Sequence, residues 1–261
     1  SYDKVFNLKK KFDLIIIGIP PKLHLQILKK CIKHFNFKKI LVEKPLCVYN
    51  QNLNFLKKRK LRKKVFCGYN HSVSESFQFF LKNLKKIDKK KSLDINLIWK
   101  ESFNLVLKAH PWIFSLKDSY LAKTKNGGGV SHEYSHAIHL FILLKEVLFQ
   151  KKKIELKKKI IFKKEKETFY DQKVKLQASS KFYNHKMFAD INSINIPPEK
   201  KIVVKCKKRI ILSWLRKLDE GFEYVSIKNK INKKFKITRK MDFINELRLL
   251  LKNKYNKKTK Y

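Results

Sequence analysis

The stretch FDLIIIGIP, residues 12–20, decides the fold. A continuous apolar run closed by prolines is how a strand buried on both faces of a parallel sheet reads. Outward from it, LHLQILKKCIKHF (23–35) carries apolar residues at helical spacing. KKILVEKP (38–45) repeats the buried strand and again stops at proline. A helix is expected from about Gln51 to Lys63, and a third short strand at KVFCGYN (64–70). This rhythm predicts right-handed βαβ units and a doubly wound parallel sheet.

After Asn70 the pattern changes. SESFQFFLKNLKKI (74–87) reads as an amphipathic helix and LDINLIWKESF (93–103) as an alternating strand. Residues 104–126 read as a long irregular stretch. Three glycines (127–129) open an apolar helix expected over about 129–149. From 153 to about 237 period-two alternation recurs, as in KKIVVKC (200–206) and KRIILSWL (208–215). Strands that follow one another through short turns predict a mainly antiparallel sheet. MDFINELRLLLK (241–252) predicts a closing helix. The expected fold is α/β: a truncated Rossmann-like parallel sheet over residues 1–71, then an α+β domain with a mainly antiparallel open sheet over 72–261.

With 261 residues the chain can bury a substantial core. Its formal net charge is +43, carried almost wholly by lysine. Base-reading proteins lean on arginine, whose planar fork matches guanine and phosphate. Abundant Lys, Asn, Ile and Phe instead read as compositional drift. Lysine is therefore expected over the whole surface, and within the interdomain cleft only at Lys44. No specific nucleic-acid partner is expected. No apolar run reaches membrane-spanning length, so no membrane partner is expected either. Four cysteines without a C-x-x-C pair suit a reducing cytoplasm.

The segment GGGVSHEYSH (127–136) contains His132-Glu133-x-x-His136, the H-E-x-x-H spacing of zinc peptidases. Such a site needs a third protein ligand. Glu155 is the candidate at a plausible distance, but it falls in an alternating strand. No metal is expected.

Taken in order, the short motifs resemble the Gfo/Idh/MocA family of NAD(P)-dependent sugar oxidoreductases. DLIIIGIPPKLH (13–24) is similar to that family's strand and PP..H turn, and ILVEKPL (40–46) to its E-K-P signature. CGYNHSVSESF (67–77) resembles its crossover between domains, with His71 and Ser74 where the family has Arg and Pro. GGGVSHEYSHAIHL (127–140) resembles its GGG…SHEID segment. IPPEKKIVVKC (196–206) resembles a late hairpin, and MDFINEL (241–247) the final helix.

The resemblance implies NAD or NADP as cofactor and a sugar or nucleotide-sugar substrate of the kind used in surface polysaccharides. It implies Lys44 and His136 as the catalytic pair, since carbinol oxidation needs a positioned group to take the hydroxyl proton. Pro20, Pro21, His24, Glu43, Lys44, Pro45 and Asn70 are implied at the cofactor. Tyr69, Trp112, Tyr120 and His132 are implied at the substrate. His132 and Glu133 are the candidates to orient His136, because residues one helical turn apart share a face. Family members often pair through the open sheet, so a homo-oligomer is expected.

One family feature has no counterpart in this sequence. No G-x-G-x-x-G phosphate loop precedes the first strand. The resemblance then implies that the first βαβ unit lies outside this stretch, together with the acidic residue that separates NAD from NADP preference. The alternative expectation is an impaired member that serves as a binding or scaffold protein.

Overall fold

The computed structural model describes Phe6 and residues 10–88, 90–108, 113–149, 154–180 and 183–252. Strands β1 (Lys11–Ile17), β2 (Asn36–Glu43) and β3 (Val65–Gly68) form a parallel sheet in the order β1-β2-β3. Helix α1 (His24–His34) crosses from β1 to β2 and buries Leu25, Leu28 and Cys31 against Ile17, Ile40 and Val42.

The expectation that residues 12–20 form a strand sealed on both faces fails. Strand β1 stands at the edge, Ile16 is 53% exposed, and only Ile17 is buried. The sealed strands are the central β2, where Ile40, Leu41 and Val42 are buried, and β3 at the opposite edge, where all four residues are buried. The helix expected at 51–63 breaks into a 3₁₀ turn (Asn54–Lys57) and one turn of α2 (Arg59–Arg62), neither burying a residue. Leu53, Phe55 and Leu56 pack against the core of the first sheet, but the cationic run after them carries only Leu61 to hold a longer helix there.

Ser74 caps helix α3 (Glu75–Lys86) by accepting from Phe77 N, and the helix buries Phe77, Phe80 and Leu84. Strand β4 (Leu93–Lys100) then enters a second sheet. Helix α4 (Phe103–Lys108) and two 3₁₀ turns occupy the stretch expected to be irregular.

The glycine-opened helix is two helices, α5 (Val130–Glu133) and α6 (Ser135–Phe149), interrupted at Tyr134. Helix α6 buries Leu140, Phe141, Leu144 and Leu148 against β4 and its neighbours. Each such side chain contributes about 1.5–3 kcal/mol by burial.

Seven strands follow: β5 (Glu155–Glu165), β6 (Thr168–Ser180), β7 (Tyr183–Asn192), β8 (Glu199–Cys206), β9 (Arg209–Lys217), β10 (Phe222–Ile227) and β11 (Lys230–Lys236). The eight-stranded sheet has the order β11-β10-β9-β8-β4-β7-β6-β5. It is antiparallel except where β4 pairs with β7. Helices α3 and α6 cover one face, and the other face stays open. Helix α7 (Arg239–Leu251) returns to the first sheet, where Leu250 packs on Leu41 and Phe66. None of the helices among the described residues is long and apolar enough to cross a membrane.

Candidate active site

The carboxyl ends of β1 and β2 open onto a cavity of about 830 Å³ between the two sheets. This is where ligands bind in open α/β sheets. Pro20, Pro21, Lys22, Glu43, Lys44, Pro45 and Asn70 form its near wall. Trp99, Glu101, Lys200 and Arg216 of the large sheet form its far wall, with Tyr120, Glu133 and His136 between them.

The glycine segment sets the distance between the walls. Gly127 has φ +91° and lies so close to Pro21 that a Cβ would stand 2.8 Å from the proline Cβ. Gly129 has φ +90°, and a Cβ there would fall 2.0 Å from Asp171 Oδ1. Only glycine suits both positions. Asp171 Oδ2 accepts from Ser131 N and Ser131 Oγ, each at 2.6 Å, and so fixes the start of α5.

Lys44 Nζ donates to the main-chain oxygen of Glu133 at 2.9 Å and pairs with Glu133 Oε2 at 3.3 Å. Tyr120 OH donates to the same Oε2 at 3.0 Å. Burial, then the neighbouring Glu133 charge, pushes the Tyr120 hydroxyl pKa up, so it stays a donor. Glu133 thus aims Lys44 rather than a histidine.

His136 lies edge-on to Tyr69 (ring centroids 5.7 Å) and to His71 (4.4 Å). Its Nδ1 is buried with no hydrogen-bond partner among the described residues. Burial, then the charges of His71 and Lys44, hold its pKa well below the ordinary histidine value. The ring is therefore a free base at neutral pH.

Several expectations need correction. His132 does not orient His136: the break at Tyr134 separates them, and His132 Nδ1 bonds Gly128 O at 2.9 Å instead. His132 is absent from the cavity lining. His24 does not face the cavity either. It is fully buried, its ring nitrogens 2.7 Å from Pro45 O and 2.6 Å from Ile19 O, and it ties the two loops together. Tyr69 lies behind the cavity, stacked on His139 at 4.3 Å. Trp112 lies outside the described residues.

Lysine does not avoid the cleft. Lys22 and Lys200 line it with Lys44, as do Arg216 and Arg239. Lys200, 7% exposed, pairs with Glu101 Oε2 at 2.6 Å, and Arg216 pairs with Glu223 Oε1 at 2.5 Å. Asp242, also in the lining, has its pKa pushed up to about 6, by burial first and then by Glu223. Neither far-wall pair was anticipated from the sequence. A signal existed, since Lys200 and Arg216 continue the inward parity of Ile202 and Trp214.

The near wall fits the nicotinamide end of a dinucleotide. It offers two proline faces, the Glu43–Pro45 turn, and a buried Asn70 whose Oδ1 has no partner among the described residues. The H-E-x-x-H histidines stand on two separate helices. Among the described residues no group of three or more His, Cys, Asp or Glu side chains is placed to hold a metal.

Residues 1–71 match a family model described as GFO_IDH_MocA, oxidoreductase family, NAD-binding Rossmann fold. A search of curated protein sequences finds no match. Solved structures similar in fold include an inositol dehydrogenase homolog complexed with NAD+ from Azotobacter vinelandii. It is 11% identical with a TM-score of 0.60, covering 86% of this chain and 57% of that one. The 3-ketoreductase KijD10 from Actinomadura kijaniata, in complex with NADP and TDP-benzene, is 10% identical with a TM-score of 0.66 (97% and 73% covered). Levoglucosan dehydrogenase, in complex with NADH and levoglucosan, is 10% identical with a TM-score of 0.69 (97% and 73%). The chain thus spans just over half the length of the inositol dehydrogenase homolog. At such identities the likeness concerns the fold, and it agrees with the family match in the parallel sheet. Over residues 1–71 the chain therefore matches the NAD-binding Rossmann model of this oxidoreductase family, and over most of its length it shares the fold of these structures.

Proposed function

We propose that this chain carries the substrate site of an NAD(P)-dependent oxidoreductase acting on a sugar hydroxyl or carbonyl. The observation that carries the reading is the meeting of Lys44, aimed by Glu133, and a neutral His136 in one cavity whose near wall fits nicotinamide. The bound nicotinamide would supply the hydride acceptor or donor.

In the oxidation direction, the Lys44 ammonium donates to the reacting oxygen and stabilises its developing negative charge. Two of its contacts go to Glu133, so the side chain is held before substrate arrives. His136 takes the hydroxyl proton at Nε2, the ring nitrogen opposite the enclosed Nδ1. In the reverse direction it returns that proton. Pro20, Pro21, Glu43, Pro45 and Asn70 would hold the cofactor, and Tyr120 would border the sugar.

We further propose a nucleotide-linked sugar of the kind built into surface polysaccharides. The cationic residues Lys22 and Arg239 in the cavity lining suit a diphosphate. Four free cysteines support a cytoplasmic site of action. Pairing of two copies through the open sheet face is supported by Phe188, 39% exposed on that face.

The test is a titration of the protein with NADH and NADPH followed by fluorescence, then an assay of nicotinamide oxidation with a panel of free and nucleotide-linked keto sugars. Saturable binding and turnover with a nucleotide-linked sugar are expected. Absence of dinucleotide binding would overturn the enzymatic reading and leave a scaffold role.

A further inference from the structure

Four residues, Trp99, Lys200, Arg216 and Glu223, stand opposite one another on the adjacent strands β4, β8, β9 and β10. All point to the covered face of the sheet, and three of them carry charge. Buried charge is costly unless paired. Glu101 answers Lys200, and Glu223 answers Arg216. Arg216 has a second partner. Its NH1 lies 3.1 Å from Nδ1 of His71, the histidine that stands where the family crossover has arginine.

That contact decides the chemistry of His71. A guanidinium has hydrogens to donate and no lone pair to accept with. Nδ1 of His71 must therefore present its lone pair, and the ring hydrogen must sit on Nε2. An imidazolium, with hydrogen on both nitrogens, would set N–H against N–H. His71 lines the cavity and lies edge-on to His136 and to Trp99, at 4.4 Å and 5.4 Å. The two histidines are thus neighbours with different duties.

We propose that Arg216, held in place by Glu223, is a positioning residue that locks His71 as a neutral ring with its hydrogen on Nε2, so that His71 donates a hydrogen bond to the substrate while His136 accepts the proton. The assignment of both rings to the substrate rests on the oxidoreductase reading above. The electrostatics agree with the geometry: burial, then the charges of Arg216, Lys200, Lys44 and Arg239, hold the His71 pKa well below the ordinary histidine value. A donor fixed beside a base selects a substrate with an acceptor oxygen next to the reacting carbinol. A sugar with an oxygen on the adjacent carbon meets that requirement, and a lone secondary alcohol does not.

The experiment is a nitrogen-15 spectrum of the histidine rings in the intact protein without cofactor. The protein has eight histidines, and His71 is assigned by the signals lost in His71→Gln. Expected is an unprotonated Nδ1 and a protonated Nε2, unchanged between about pH 5.5 and 8, the window in which an unperturbed histidine titrates. A hydrogen on Nδ1, or conversion to imidazolium in that window, would overturn the proposal. The double variant Arg216→Met with Glu223→Gln removes both buried charges together. In it the two His71 tautomers should average, and a persistently locked Nδ1 acceptor would also overturn the proposal. The wild-type spectrum decides by itself should the double variant not fold. No dinucleotide enters the experiment, so its failure leaves the oxidoreductase reading standing, and failed NADH binding leaves the tautomer result intact.

Discussion

The near wall of the cavity is made of turns, and the far wall is made of strand ends. Lys44 reaches the cavity from a turn bounded by Glu43 and Pro45, a three-residue unit contiguous in sequence. Glu101 and Lys200 reach it from the end of β4 and the start of β8, paired at 2.6 Å across 99 positions of sequence. Arg216 and Glu223 join them only because β9 and β10 pair in the observed register. The near wall is a local motif and the far wall is a product of topology. A one-residue slip of β9 would turn Arg216 to the open face and remove it from the site.

The largest effect expected from breaking this comparison is on stability. Arg216→Leu leaves Glu223, 4% exposed, without its countercharge. Removing one partner of a buried pair costs about 3–5 kcal/mol. Urea denaturation should show that loss. A loss below about 1 kcal/mol, as for an exposed pair, would mean that the far wall is not sealed as described.

On the near wall the expected effect is on rate. Glu133→Gln keeps the main-chain contact to Lys44 and removes the charged one. A slightly misplaced catalytic group loses up to about 100-fold, so kcat should fall about 10- to 100-fold while the melting temperature stays nearly unchanged. Wild-type kcat in this variant would show that Lys44 is aimed by something other than Glu133.

A third effect, read as a slope with pH, lies beneath both walls. Glu246 on α7 is fully buried, and its pKa is raised to about 8 by burial and then by Glu43. Its folded pKa exceeds its unfolded one, so the folded state binds more protons. Stability should therefore fall as pH rises from about 4.5 towards 8. Glu246→Gln should flatten that slope, raising the melting temperature at pH 8 and leaving it alone at pH 4. An unchanged slope would remove Glu246 as its source.

Against these outcomes, what the sequence reveals can be judged residue by residue. Strand, helix and strand over residues 12–45, the capped helix after Ser74 and the closing helix followed from hydrophobic period and turn residues, which are local. Motifs that keep their spacing single out Lys44 and His136, and the fold brings both to one cavity. The far wall was harder to see. Lys200 sits two residues before Ile202, Arg216 two after Trp214, and Glu223 two before Val225, all on the inward parity. In a chain with 64 lysines and arginines, a cation at a strand end looks like one more surface charge. The break at Tyr134 was hidden for another reason. The apolar period continues through it, and what accompanies the interruption is tertiary: Glu133 meets Lys44, and Tyr134 OH donates to Glu101 O at 2.6 Å. Motif position puts His24 beside the cofactor but does not say which way the ring turns, and the ring turns inward to Pro45 O and Ile19 O.

The central claim is that the two walls meet to place Lys44 and His136 on one reacting carbinol. The most direct measurement is steady-state kinetics of Lys44→Ala and His136→Ala on the best nucleotide-linked sugar, with dinucleotide binding measured alongside. A positioned proton-transfer group is worth about 10²–10⁴-fold. Each variant should therefore lose about that factor in kcat while still binding NADH or NADPH, and chelators should have no effect. Wild-type kcat in either variant, or turnover that depends on zinc held by His132 and His136, would contradict the account.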